Sequence, residues 1–278
     1  KSPGAHVTCT HANLSPLLWL ARLVGKRLTY DVVVHGIEVW RALPWTTRRG
    51  LEGARHIFSV SEYTRRELTE RYPQLGPKTV VLPNALDPSF SSIKPIRETE
   101  VRSPRILTVS RLAAHDWEKG IDHLIQAMAA VCQQLPEAEL IIIGEGVDRS
   151  RLEALAGEST AGDRIKFLGR VDDKALRTEL GRCRIFALPS RKEGFGLVYL
   201  EAMAAGKPCI VANAGGAPEV IDSESGIVVP HGDVPFLADT LIEAHKNRWD
   251  ATRIRNRAKQ FEFPAFADRW RRLSSLSA

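Results

Sequence analysis

Short apolar, β-branched runs alternate with segments of helical period along almost the whole chain. In the first third the runs are His6 to Cys9, Leu28 to Val34, His56 to Val60 and Thr79 to Leu82. Helical segments separate them at Pro16 to Val24, Thr46 to Leu51 and Glu62 to Arg71. From Arg105 the alternation resumes, with strands expected at Arg105 to Val109, Glu139 to Ile143, Ile165 to Leu168, Ile185 to Leu188, Pro208 to Val211 and Gly226 to Val229. Helices are expected at Gly120 to Gln134, Arg149 to Ala156, Asp173 to Leu180, Leu197 to Ala205, Pro218 to Asp222, Val234 to Lys246 and Ala251 to Gln260. Each apolar run is bounded by turn residues, as strands buried on both faces are. The pattern predicts an α/β protein with two parallel sheets covered by helices.

Between the two series, Asp87 to Ser103 is polar, proline-containing and without period, and reads as a linker. The domains expected are therefore 1–95 and 96–262, followed by a last helical piece, Pro264 to Leu276, within 263–278. The second series predicts a doubly wound parallel sheet, whose ligands bind at the carboxyl ends of the strands.

Composition narrows the class. The chain has 278 residues, 44% hydrophobic and 26% charged, which suits a globular protein with a sizeable core. No apolar run reaches the length of a membrane span. The net charge of +6 suits anionic substrates or an anionic membrane surface. No basic–aromatic module of a nucleic-acid binder is present, so nucleic acid is not an expected partner. The four cysteines, Cys9, Cys132, Cys183 and Cys209, have no metal-ligand spacing; three fall in expected strands or helices and read as buried thiols of a reducing compartment, as suits a cytoplasmic protein. No D-x-D occurs, and no bound metal or other cofactor is implied.

Candidate chemistry concentrates in Leu188 to Val220. A strand and loop lead to Glu193-Gly194-Phe195-Gly196, and the helix from Leu197 carries Glu201. Glycines let a ligand approach the backbone, and a helix start offers unpaired N–H groups to phosphate oxygens. Glu201 suits the vicinal hydroxyls of a sugar, and Glu193 another part of the same ligand. Ser190 to Glu193 also fits a capping box, which would leave Glu193 a purely local role. Upstream, Arg111 closes a strand and Lys119-Gly120 opens a helix. A lysine at a helix N-terminus opposes the dipole unless an anion lies between them. Arg111 and Lys119 would grip a diphosphate, the first bidentately and the second as a point charge. Asp122 reads as a first-turn residue. Gly144-Glu145-Gly146 is not a dinucleotide fingerprint, because the third glycine position holds Arg149. His35, at the end of its strand, is placed to bond a sugar hydroxyl or polarise a reacting centre, and the role of Glu38 stays open.

The two glutamates with seven residues between them around GFG, with AGKP and GGAPE after them, resemble the E-x7-E signature of retaining glycosyltransferases of family 4. So does R-x7-K-G-I-D, and HGIEVW is similar to the family's acceptor-domain histidine segment. The resemblance implies a GT-B fold, two Rossmann-like doubly wound domains facing a cleft. It also implies an incomplete N-terminal domain, since a family member would carry further strand–helix units ahead of Lys1. The C-terminal helix would cross back to the N-terminal domain. The implied activity is metal-independent, retaining transfer of a hexose from a nucleoside-diphosphate sugar, UDP-sugar favoured. The acceptor would be a saccharide or a lipid-linked molecule at the inner face of the cytoplasmic membrane. His35 and Glu193 would serve catalysis, and Arg111, Lys119 and Gly194 to Leu197 the diphosphate. Glu201 would hold the ribose, with Arg170 and Val171 flanking the base. Pro83-Asn84-Ala85-Leu86-Asp87 departs from the family's P-N-G-V-D at Ala85. Two other readings stay open, a GT-B epimerase or sugar-phosphate synthase, and a nucleotide-sugar-binding module without turnover.

Overall fold

The computed structural model describes residues 5–24, 28–91, 104–113 and 116–275, the side chains of 116, 117 and 275 excepted. Most of the expected linker, residues 92–103, lies outside them. The chain divides into two compact units, one running up to Asn84 and including Glu193–Phe195 and the chain from Phe266, the other comprising Ala85–Lys192 and Gly196–Ala265.

In the first unit four strands, β1 (His6–Cys9), β2 (Thr29–Val34), β3 (Ile57–Ser59) and β4 (Thr79–Val81), form a parallel sheet in the order β1-β2-β3-β4. The helices are α1 (Ser15–Val24), α2 (Trp45–Gly53) and α3 (Glu62–Arg71). Ser61 caps α3 by accepting from Thr64 N–H, which sets where that helix begins. One carboxylate, Asp31 on β2, is buried, and it lies between two imidazoles: His6 at 2.9 Å and His56 at 3.2 Å. A buried charge needs such partners. On the same sheet Phe58 meets Trp270, ring centroids 4.8 Å apart.

In the second unit the strands are β5 (Arg105–Val109), β6 (Glu139–Ile143), β7 (Ile165–Gly169), β8 (Ile185–Leu188), β9 (Cys209–Ala212) and β10 (Gly226–Val229). They are parallel, in the order β10-β9-β8-β5-β6-β7. The helices are α4 (Ile121–Gln134), α5 (Arg149–Glu158), α6 (Asp173–Arg182), α7 (Leu197–Ala204), α8 (Ala217–Val220), α9 (Val234–Lys246) and α10 (Ala251–Lys259), with α11 (Phe263–Ser275) at the end. Winding runs one way from β5 to β7 and the other from β8 to β10. Right-handed crossovers in opposite senses put helices on both faces, which is why β6, β8 and β9 are buried along their whole length. The winding reverses between β5 and β8, so the loops above those two strands open a crevice at their carboxyl ends.

The cysteines are all unbridged; Cys9, Cys183 and Cys209 are buried and Cys132 partly so. Ala85 adopts no left-handed conformation, since no described residue other than glycine has positive φ. The family's glycine is thus not needed at this turn.

Candidate functional site

The glycines Gly144 and Gly146 build the floor of the site. A Cβ on Gly144 would fall 1.8 Å from the Ser110 carbonyl oxygen, and one on Gly146 2.1 Å from that of Leu112. Both have left-handed φ, 147° and 158°. These close approaches let Ser110 N–H reach Ile143 O at 3.0 Å and Leu112 N–H reach Glu145 O at 3.0 Å, so the β5–α4 loop is laced to the β6–α5 turn. Arg111, exposed on that loop, shares a narrow cleft with Ile121, Asp122, Asp148 and Arg151. Arg151 bonds Asp148 through both carboxylate oxygens at 2.7 Å.

Helix α4 begins at Gly120, which has φ 70° and supplies no side-chain cap. A Cβ there would lie 2.5 Å from the Pro189 carbonyl oxygen, so the helix start is pressed against the loop that follows β8. Arg191 N–H donates to Glu118 O at 2.6 Å, and Lys192 pairs with Glu118 at 2.7 Å. These contacts fasten the turn Asp116–Lys119 to Pro189–Lys192, the stretch that leads into Glu193 and Gly194. Lys119 therefore sits where that loop and the α4 start meet, while Arg111 lies on the α5 side of the same helix start. Asp122 is the first-turn residue expected, its carboxylate accepting His123 N–H at 3.0 Å.

The capping-box alternative for Glu193 is not realised. The residue before α7 is Gly196, left-handed at φ 91°, again without a side-chain cap. Ser190 is fully buried, and its Oγ has no hydrogen-bond partner among the described residues. Glu193, Gly194 and Phe195 group with the first unit. There Gly194 lies flat on the His35 backbone: a Cβ would fall 1.9 Å from the His35 carbonyl oxygen. Gly36, at φ 137°, faces it, with its own Cβ position 3.0 Å from Gly194 Cα. His35 and the Glu193–Phe195 turn are thus brought together because neither glycine carries a side chain. Phe195 is buried, and Leu197, first in α7, is exposed. Glu38, left open by its sequence, accepts the His35 N–H and holds the turn after β2.

Glu201 is less solvated than its place on a helix suggests. Burial pushes its carboxyl up to about 7, and the negative charges of Asp173 and Asp87 push it the same way. Among the described residues it has no cation or N–H donor to offset that cost. A carboxyl in this setting is short of hydrogen-bond donors, which a ligand's hydroxyls would provide. Arg170 and Val171 follow β7 just past Gly169, whose Cβ position is 2.5 Å from Glu145 Oε1. Gly144 N–H bonds Gly169 O at 2.9 Å, so this turn is tied to the floor of the site.

Sequence reasoning missed several groups. His11, two residues beyond β1, stacks beside His35 with ring centroids 5.9 Å apart. His123 and His231 meet edge to face at 5.2 Å beside the α4 start. A lone histidine leaves no periodic signal, and nothing in the linear sequence pairs His11 with His35. Among the described residues no group of three or more His, Cys, Asp or Glu is placed to hold a metal ion. No described helix is long and apolar enough to cross a membrane.

Residues 90–261 match the family described as glycosyl transferases group 1. A GDP-mannose-dependent monoacylated alpha-(1-6)-phosphatidylinositol monomannoside mannosyltransferase of Corynebacterium glutamicum is 34% identical over 229 residues, 75% of this chain and 58% of that protein. One component of the human phosphatidylinositol N-acetylglucosaminyltransferase is 35% identical over 190 residues, 68% of this chain and 38% of its own length. The chain thus spans less than two thirds of either relative. The sucrose-phosphate synthase of Thermosynechococcus elongatus superposes with a TM-score of 0.81 at 25% identity, covering 97% of this chain and 72% of that one. With its two parallel-sheet α/β units and the glycine-bounded helix starts above β5 and β8, the chain belongs to the group 1 glycosyl transferases and has their GT-B fold.

Proposed function

We propose that the protein transfers a hexose, with retention, from a nucleoside-diphosphate sugar to a hydroxyl of a lipid-linked polyol or saccharide. The observation that carries this reading is the convergence of uncapped starts on one loop. The α4 start with Lys119 abuts Pro189–Lys192, and the same stretch runs on through the GFG turn into the α7 start. The first N–H groups of the two helices and a lysine suit a diphosphate. In this reading Arg111, Lys119 and the amides of Gly194 to Leu197 stabilise the leaving diphosphate without a metal. Glu201 accepts from the ribose hydroxyls, Arg170 and Val171 flank the base, and Glu193 holds the sugar. The acceptor oxygen bonds to the anomeric carbon as the bond from that carbon to the phosphate oxygen breaks. The acceptor's proton leaves on the departing phosphate, and His35 orients the hydroxyl.

The sequence favoured a UDP-sugar; the name of the corynebacterial relative favours GDP-mannose. Both relatives are named for phosphatidylinositol lipids, which supports an inositol-headed acceptor at an anionic membrane surface. The net charge of +6 suits that location. Thermal melting in the presence of GDP-mannose, UDP-glucose and ADP-glucose tests the donor. GDP-mannose should raise the midpoint by several degrees and more than the others. No shift with any of the three would contradict the reading.

A further inference from the structure

His11 and His35 end neighbouring parallel strands. Cys9 on β1 is in register with Val32 on β2, so the chain leaves both strands on the same side and at nearly the same level. The rings stand side by side, 29° from parallel. Their hydrogen bonds to the backbone determine which nitrogen carries the proton. His35 Nε2 lies 2.8 Å from Thr10 O, and a carbonyl only accepts, so Nε2 is the protonated nitrogen. Its Nδ1 lone pair is left without a partner among the described residues. His11 Nδ1 lies 3.1 Å from Asn13 N, and a backbone amide only donates, so Nδ1 is the unprotonated nitrogen. The proton of the neutral His11 ring is then on Nε2, which also has no partner among the described residues. One ring offers a donor and its neighbour an acceptor. Two hydrogen bonds of about 2.9 Å, one on each side of a diol, span such a pair.

We infer that His11 joins His35 in binding the acceptor, His11 donating through Nε2–H to one ring hydroxyl and His35 Nδ1 accepting from its neighbour. The ligand class is a cyclic polyol or saccharide with vicinal hydroxyls. This rests on the reading of the chain as a transferase to a hydroxyl acceptor, and it adds a residue that reading did not contain.

His11 also has a structural role, since its side chain caps the turn Ala12–Leu14. The test must separate the two. His11→Asn keeps an acceptor for Asn13 N–H but loses the Nε2 donor. Long-range proton–nitrogen spectra of the imidazoles, recorded on the full chain at about pH 8 where free imidazole is neutral, report each tautomer directly. Both rings should be protonated at Nε2. Titration with myo-inositol should shift His11 Nε2 and His35 Nδ1 along one saturating curve. In His11→Asn the apparent affinity for myo-inositol should fall at least about tenfold with the melting midpoint unchanged. A His11 ring protonated at Nδ1, no inositol-dependent shift, or equal affinity in the variant would overturn the inference. If the variant unfolds, the tautomers and titration of the wild-type chain still decide. Melting with GDP-mannose is read in parallel: a donor shift without an inositol effect sinks only this inference. An inositol effect without a donor shift sinks only the donor assignment.

Discussion

Glu201 is a partly buried carboxyl with no cation among the described residues to balance it, which bears on stability. Its folded-state value of about 7 lies above the ordinary 4.5, so between those values the native state binds more protons than the unfolded chain. The stability it permits is complete below about pH 4.5 and is lost as pH rises through about 7. The loss is on the order of 2–3 kcal/mol for a group of this burial. Glu201→Gln should therefore melt higher than wild type at pH 8 and at nearly the same temperature at pH 4.5, as read by calorimetry. Equal midpoints at pH 8 would mean that the carboxyl is ionised at no cost. Features whose chemistry is local were legible in the sequence: the glycine turns and the helix starts that follow Gly120 and Gly196. The burial of Glu201 was not, because Asp87 and Asp173, far apart in the chain, contribute to its setting. His11 was illegible for the same reason, since only the pairing of β1 with β2 brings it to His35.

At the scale of elements, strands were the most readable feature. Runs buried on both faces, such as β6 and β8, are nearly continuous in apolar residues, and these two strands have the expected bounds, as do β1, β5 and β10. Ends moved where local chemistry intervened. β9 starts at Cys209 rather than Pro208, because proline has no N–H to give the ladder. α8 starts one residue earlier than expected, with Pro218 just inside its first turn, where proline is tolerated. The glycine turns have a sterically exacting role, and Gly144 is the sharpest case. With φ at 147° and the Ser110 carbonyl in the place of its Cβ, Gly144→Ala should cost about 2 kcal/mol or more in urea unfolding. The same substitution should weaken nucleotide binding, since Ser110 and Arg111 move with the turn. An alanine variant as stable as wild type would mean that the lacing of β5 to β6 is not what holds Arg111.

The whole molecule was legible as two parallel-sheet units but not as a wiring diagram. Alternating strands and helices predict a doubly wound sheet but not the place of its reversal, between β5 and β8, which sets where the loops part. Nor did the sequence show that Glu193–Phe195, inside the second series, would group with the first unit. That grouping follows from paired glycines, Gly36 and Gly194, whose mutual fit is invisible in a linear pattern. The proposed transfer requires a diphosphate where the α4 start meets the loop after β8. Isothermal titration of GDP into wild type and Lys119→Ala, at matched salt, tests it most directly. Affinity should fall tenfold or more in the variant, about 1.4 kcal/mol. Equal affinities, with both proteins folded, would contradict it.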